Sequence, residues 1–189
     1  KVMVVENHKL PRVSYNLTID NVPSVQGEIK GVSDLLASLL GNGTTSIPKD
    51  DFNEEVDFLG ANINFNASGG FASGLSKYSE RILQLMADAA INPLFDDIEF
   101  NKKKDLQIDG LKAGKKSVDV VADRIALALA YGSHHPSGEF VTEETLNNVT
   151  LDKVKTYYQN SFNPKNAYLV IIGDIELDIV KQQVQQYFG

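Results

Sequence analysis

The chain has 189 residues, 42% of them hydrophobic and 23% charged, the make-up of a globular domain with a sizeable core. Eighteen Lys and Arg against 25 Asp and Glu leave a net charge of -7, and the Lys102-Lys103-Lys104 cluster runs straight into Asp105, so no basic, aromatic-interleaved surface for nucleic acid is present. There is no cysteine, which excludes disulfides, thiolate metal sites and a cysteine nucleophile, and no apolar run approaches the ~20 residues of a membrane-spanning helix.

Val2 to Val5 form an apolar run, and Val13, Tyr15, Leu17 and Ile19 alternate with polar residues beyond the turn His8-Lys9-Leu10-Pro11; the pattern predicts an opening β-hairpin. Lys1 stands at the head of that first run, and the expectation is a natural N-terminus further upstream. Gly31 to Thr44 then reads as a helix. Val32, Leu35, Leu36, Leu39 and Leu40 make one apolar stripe along it, which leaves Asp34, Ala37 and Ser38 together on the opposite face. A small, polar face of this kind suits a cleft or a partner.

Ser46-Ile47-Pro48 opens a second helix, DDFNEEVDFL, closed by Gly60. Ile63, Phe65 and Ala67 alternate before Ser68-Gly69-Gly70, and Phe71 to Ser76 follow as the return strand of a second hairpin. SERILQLMADAAI is a helix stopped at Pro93. Asp96 with Glu99 makes a capping box for a long helix, and Ser117 or Asp119 opens another that runs to Tyr131-Gly132. Thr150 caps LDKVKTYYQNSF, Asn163-Pro164 breaks it, AYLVIIG reads as an interior strand, and LDIVKQQVQQYF is a final amphipathic helix. This order predicts a single α+β domain over residues 1–189, with helices layered on a mostly antiparallel sheet.

The histidines are His8, His134 and His135. His8 falls in a turn, and adjacent residues such as His134 and His135 do not project onto one helical face, so they make a poor metal pair. Nucleophile-elbow, phosphate-loop and dinucleotide motifs are missing, and Ser68-Gly69-Gly70 lies between strands without the helix and lysine of a phosphate cradle.

Several segments together resemble the pitrilysin/insulinase family of zinc metallopeptidases, which includes the mitochondrial processing peptidases and the core subunits of respiratory complex III. Gly31, Val32, Ser33, Leu36, Leu39, Leu40, Gly43 and Thr44 sit at the places expected in that family's active-site helix. LGANINFNAS, INPLF, YGSHHPSG and NPKNAYLVIIGDI resemble further family segments. The resemblance implies the fold shared by LuxS and the processing peptidases, in which an inverted H-x-x-E-H motif supplies two zinc ligands at i and i+4 and a general base between them. The corresponding residues here are Asp34, Ala37 and Ser38, and the distal ligand position falls near Gly110.

The resemblance therefore implies a non-catalytic domain with no zinc of its own, zinc being expected only in an active partner. It further implies a peptide or unfolded protein segment as ligand, lying along Phe65, Asn66, Ala67 and Ser68, and a second pitrilysin-like domain or subunit as partner. The chain would then be the N-terminal half of a longer protein. Two other readings stay open: a subunit of an active zinc metalloendopeptidase whose metal lies elsewhere, and a purely structural assembly subunit. Zero cysteine fits cytosol and bacterial periplasm alike; the periplasm is favoured, with cytoplasm and mitochondrion left open.

Overall fold

The computed structural model describes all residues from Lys1 to Gly189. Five strands, β1 (Val2–Glu6), β2 (Arg12–Ile19), β3 (Asn62–Asn66), β4 (Gly69–Leu75) and β5 (Ala167–Gly173), form one sheet in the order β1-β5-β2-β4-β3. Eight helices accompany them: α1 (Val32–Leu39), α2 (Lys49–Phe58), α3 (Ser79–Ile91), α4 (Asp97–Gly114), α5 (Val118–Tyr131), α6 (Glu143–Asn148), α7 (Leu151–Ser161) and α8 (Leu177–Phe188). The fold is α+β with a mixed sheet, since β1 runs parallel to β5 while the other neighbouring pairs are antiparallel. No helix is long and apolar enough to cross a membrane.

The expected opening hairpin does not form. β1 pairs with β5, and β5 in turn pairs with β2, so a third strand lies between the two that the sequence joins. The direction of travel was legible, because β1 and β2 are antiparallel to each other through β5. Their adjacency was not. The AYLVIIG strand is apolar enough to need a neighbour on each side, and Asn7 to Pro11 provides enough chain to cross two strand spacings of about 4.8 Å each. Alternation within β1 and β2 carries no information about a strand that begins more than 140 residues later.

The chain resolves into two compact units. The first comprises residues 1–20, 37–94 and 161–189 and holds the sheet with α2, α3 and α8. Its core gathers Val13, Tyr15 and Leu17 from β2, Leu169 and Ile171 from β5, Ile82, Leu83, Leu85 and Met86 from α3, and Val180 and Val184 from α8. Tyr15 is wholly buried at its centre, and its hydroxyl donates to the Ser79 carbonyl at 2.9 Å, which meets the requirement that a buried polar tip find a partner. At one end of the sheet the Asp174 carboxylate accepts from Ser76 Oγ at 2.9 Å and lies 2.8 Å from His8 Nδ1. The hydrogen bond to that carboxylate raises the His8 imidazole above its ordinary value.

The second unit comprises residues 21–36 and 95–160. Its helices start where the capping residues predict: the Asp96 carboxylate accepts from Glu99 N–H at 2.9 Å, and Ser117 Oγ stands at the head of α5. A short helix, α6, was not anticipated. It is held by a reciprocal box in which Thr142 Oγ1 accepts from Thr145 N–H at 3.1 Å and Thr145 Oγ1 accepts from Thr142 N–H at 3.0 Å. Thr145 stands where Glu or Gln is the usual signal, so the box escapes the sequence pattern. Thr142→Ala is expected to lower stability by about 1 kcal/mol, read from the urea midpoint at unchanged slope.

Candidate functional site

α1 carries the residues singled out in the sequence. Its apolar stripe is buried as the spacing predicts, with Val32, Leu35, Leu36, Leu39 and Leu40 all at 5% exposure or less. On the other face Asp34 is exposed, and Ala37 and Ser38 are half-buried. Residues at i, i+3 and i+4 share a helix face, so the three emptied positions stand together. Gly110 lies on an exposed stretch of α4, and a side chain built there would meet nothing within 4 Å.

These residues do not fit a zinc ion. Asp34 is the only one of the four with a good zinc donor, a lone serine hydroxyl is a poor ligand, Ala37 offers neither a ligand nor a base, and Gly110 has no side chain. Nowhere do three or more His, Asp or Glu side chains gather in a group that could hold a metal. The histidines are placed otherwise. His135 stacks on Tyr131 with ring centroids 5.1 Å apart, and its Nδ1 accepts from Ser137 N–H at 3.1 Å, which is a structural role. His134 lines a cavity of about 540 Å³ with Glu28, Lys30 and Glu139.

The second candidate element is the sheet edge. β3 is the outermost strand beyond β4, and it contains Phe65 and Asn66; Ala67 and Ser68 form the turn to β4. Ile19 N–H donates to the Ser68 carbonyl at 2.7 Å, which fixes which β4 residues bond to β2 and which to β3. Gly69, Phe71 and Ser73 face β3, where they are paired with Asn66, Asn64 and Asn62. The backbone N–H and C=O groups of Ile63 and Phe65 therefore point outward from the edge. Their side chains pack on the core side, while Asn62, Asn64 and Asn66 are exposed.

The end of α1 meets this edge. Gly41, just past the helix, has φ of +77°, a conformation that L side chains rarely adopt, and a Cβ there would stand 3.1 Å from the Phe65 ring, which would have to give way slightly. Gly70 is likewise covered by that ring, at 2.6 Å from a built Cβ. Asn42 Nδ2 donates to the Ser38 carbonyl at 2.5 Å and closes the last turn. The Ala37 and Ser38 positions and the outward-facing edge of β3 thus belong to one compact unit and are joined through a glycine-for-ring contact.

In the second unit the head of α1 is fastened by Glu139, which the sequence reading did not single out. Its carboxylate accepts from Gln26 N–H at 3.0 Å and Gly27 N–H at 3.0 Å, and it pairs with Lys30 Nζ at 3.2 Å with only 6% of the side chain exposed. Gln26 passes the tie onward: its Oε1 accepts from Gly31 N–H at 3.2 Å and its Nε2 donates to Ser33 Oγ at 2.9 Å. Burial alone pushes the Glu139 carboxyl up, but the two backbone N–H groups and Lys30 together outweigh it and hold the group below its ordinary 4.5. The signal in the sequence was only an acid directly after YGSHHPSG.

A family model described as Insulinase (Peptidase family M16) matches residues 2–135, and one described as Peptidase M16 inactive domain matches residues 148–189. Among curated proteins, the uncharacterized zinc protease YmxG of Bacillus subtilis is 25% identical over 167 residues, covering 86% of this chain and 41% of its own length. The mitochondrial-processing peptidase subunit beta of Neurospora crassa is 22% identical over 169 residues, covering 86% of this chain and 35% of its own. Among solved structures, the peptidase M16 inactive domain from Pseudomonas fluorescens superposes with a TM-score of 0.86 at 21% identity, over 99% of this chain and 47% of that one. The first half of the periplasmic protease PqqL from Escherichia coli superposes with a TM-score of 0.76 at 15% identity, over 98% of this chain and 43% of that one. The chain spans less than half the length of the relatives it matches.

Proposed function

Because the chain belongs to the insulinase family, peptidase family M16, we propose that it is a non-catalytic domain of that family which holds an extended peptide segment along β3. One observation carries the reading: the helix face that would bear metal ligands is emptied at Asp34, Ala37 and Ser38, while the neighbouring edge keeps its outward backbone groups at Ile63 and Phe65. Strand addition uses main-chain donors and acceptors and needs no metal, so loss of the zinc ligands removes cleavage and leaves capture. Ile63 and Phe65 would hydrogen-bond the peptide backbone, and Asn66, Ala67 and Ser68 would border its end.

The reading extends to a second domain of similar fold, in the same protein or as a subunit, that closes a chamber with this one. Matches to about half of each relative support it, and intact zinc ligands would have to lie on that second domain for the assembly to cleave. A periplasmic location, that of PqqL, is proposed with it.

Two measurements on the isolated chain test the proposal. Elemental analysis is expected to find no stoichiometric zinc, with no hydrolysis of peptide substrates. An extended peptide is expected to bind, and N-methylation of alternate residues along one of its edges is expected to weaken it by about tenfold or more, because each methyl removes a strand donor. Stoichiometric zinc with hydrolysis would overturn the non-catalytic reading. Indifference to N-methylation would overturn capture by the edge.

A further inference from the structure

α5 is apolar almost all the way round, yet none of its residues is buried. Val118 is 81% exposed, Ile125 54%, Leu127 49% and Leu129 82%. A helix of that composition normally lies in a core, so this one is short of a partner. Beside it runs a groove of about 420 Å³, lined by Val121, Arg124, Ile125, Ala128 and Leu129 from α5 and by Ser133 and Phe140 from the segment that follows.

The charges of α5 are sorted by face. At 100° per residue, Val121, Arg124, Ile125, Ala128 and Leu129 fall within one sector, and Asp119 and Asp123 fall on the opposite side. The groove therefore presents one cation and no acid. Arg124 is half-buried, and its guanidinium makes no hydrogen bond or ion pair within the chain. A guanidinium without a partner in the chain, set beside apolar side chains, is complementary to a carboxylate that arrives with apolar groups around it.

We propose that this groove docks an amphipathic peptide helix that carries a carboxylate, its apolar ridge on Val121, Ile125, Leu129 and Phe140 and its acid on Arg124. The ridge of residues four apart on α5 is the surface into which a second helix packs, and the helix offers about 21 Å of it. The groove shares no residue with the β3 edge, so this site stands or falls separately from peptide capture there.

The test is fluorescence anisotropy on the full chain with two labelled 16-residue peptides. Both place Leu and Ala on one face; one has a Glu at the border of that face and the other a Lys at the same position. The Glu peptide is expected to bind at least about threefold more tightly at low salt, with the margin shrinking as salt rises. Arg124→Gln should abolish the preference and Arg124→Glu should invert it. Leu129→Ser, at a site too exposed to affect folding, should weaken both peptides. Equal binding of the two peptides, or a Glu preference that survives Arg124→Glu, would overturn the proposal. So would a light-scattering mass of two chains that Leu129→Ser reduces to one while neither peptide binds, since α5 would then be covered by a second copy.

Discussion

Gly173→Ala is expected to lower the unfolding free energy by about 3–5 kcal/mol, from backbone strain and overpacking acting together. Gly173 closes β5 with φ of +148°, where L side chains are strained, and a Cβ there would stand 2.2 Å from the Arg12 carbonyl oxygen and 2.6 Å from Val13 Cα. Both are backbone atoms of the neighbouring strand. Neither can swing aside, because Val13 is paired with Gly173 in the ladder and the Arg12 carbonyl accepts from Asp174 N–H at 2.9 Å. The damage should reach the Asp174 carboxylate and its ties to His8 and Ser76. Urea unfolding followed by far-ultraviolet circular dichroism checks the size of the loss. Gly110→Ala is the control, because its Cβ has open space in an exposed helix and should raise stability by about 0.5–1 kcal/mol. Equal effects at the two glycines would contradict the geometry.

The second large effect is expected at Glu139. Glu139→Ala leaves the Gln26 and Gly27 N–H groups and the Lys30 ammonium without their acceptor and should cost about 2–4 kcal/mol. Glu139→Gln keeps the shape but turns an amide donor toward other donors, so it should recover only part of the loss. The pH dependence has a definite sign. The carboxyl is held below its ordinary 4.5 in the folded chain, so the stability it adds is present above the unfolded value and is lost as pH falls through the folded one. The gap between wild type and Glu139→Gln should therefore be constant near neutrality and narrow below about pH 4.5. Comparing the two proteins matters, since Glu55, Asp88, Glu143 and Asp174 are also held low and weaken both alike in acid. A gap that stays constant down to pH 3 would show that Glu139 is not the anchor of α1.

What could be read from the residues follows the range of the forces that act on them. Helix starts at Asp96 and Ser117, the stop at Pro93 and the hairpin around Ser68 rest on interactions spanning a few positions, and each stands where it was expected. The neighbour of β1 was not legible, because β5 enters from the far end of the sequence. The emptied face of α1 was legible as a pattern at i, i+3 and i+4. Which backbone groups of β3 face outward was not, since that depends on the pairing phase set by Ile19 and Ser68. Glu139 and Arg124 escaped for a related reason: an acid after a glycine and an arginine in a helix are ordinary until burial and the absence of partners distinguish them.

The parallel pairing of β1 with β5 also bears on the order in which the chain can mature. Residues 2–6 find their partners at 169–173, and β2 meets the same strand across a similar interval. During ribosomal synthesis β1 and β2 emerge early and must wait for more than 140 further residues before the strand that belongs between them appears. Contacts this distant in sequence close slowly, and until they do VMVVE and the flank of β2 are open to any other nascent strand. The residues of the second unit, 21–36 and 95–160, are all made before β5, whereas the sheet of the first unit is completed only when β5 arrives. A chaperone that shields β1 during this interval would cover a strand whose ladder partner has not yet been made.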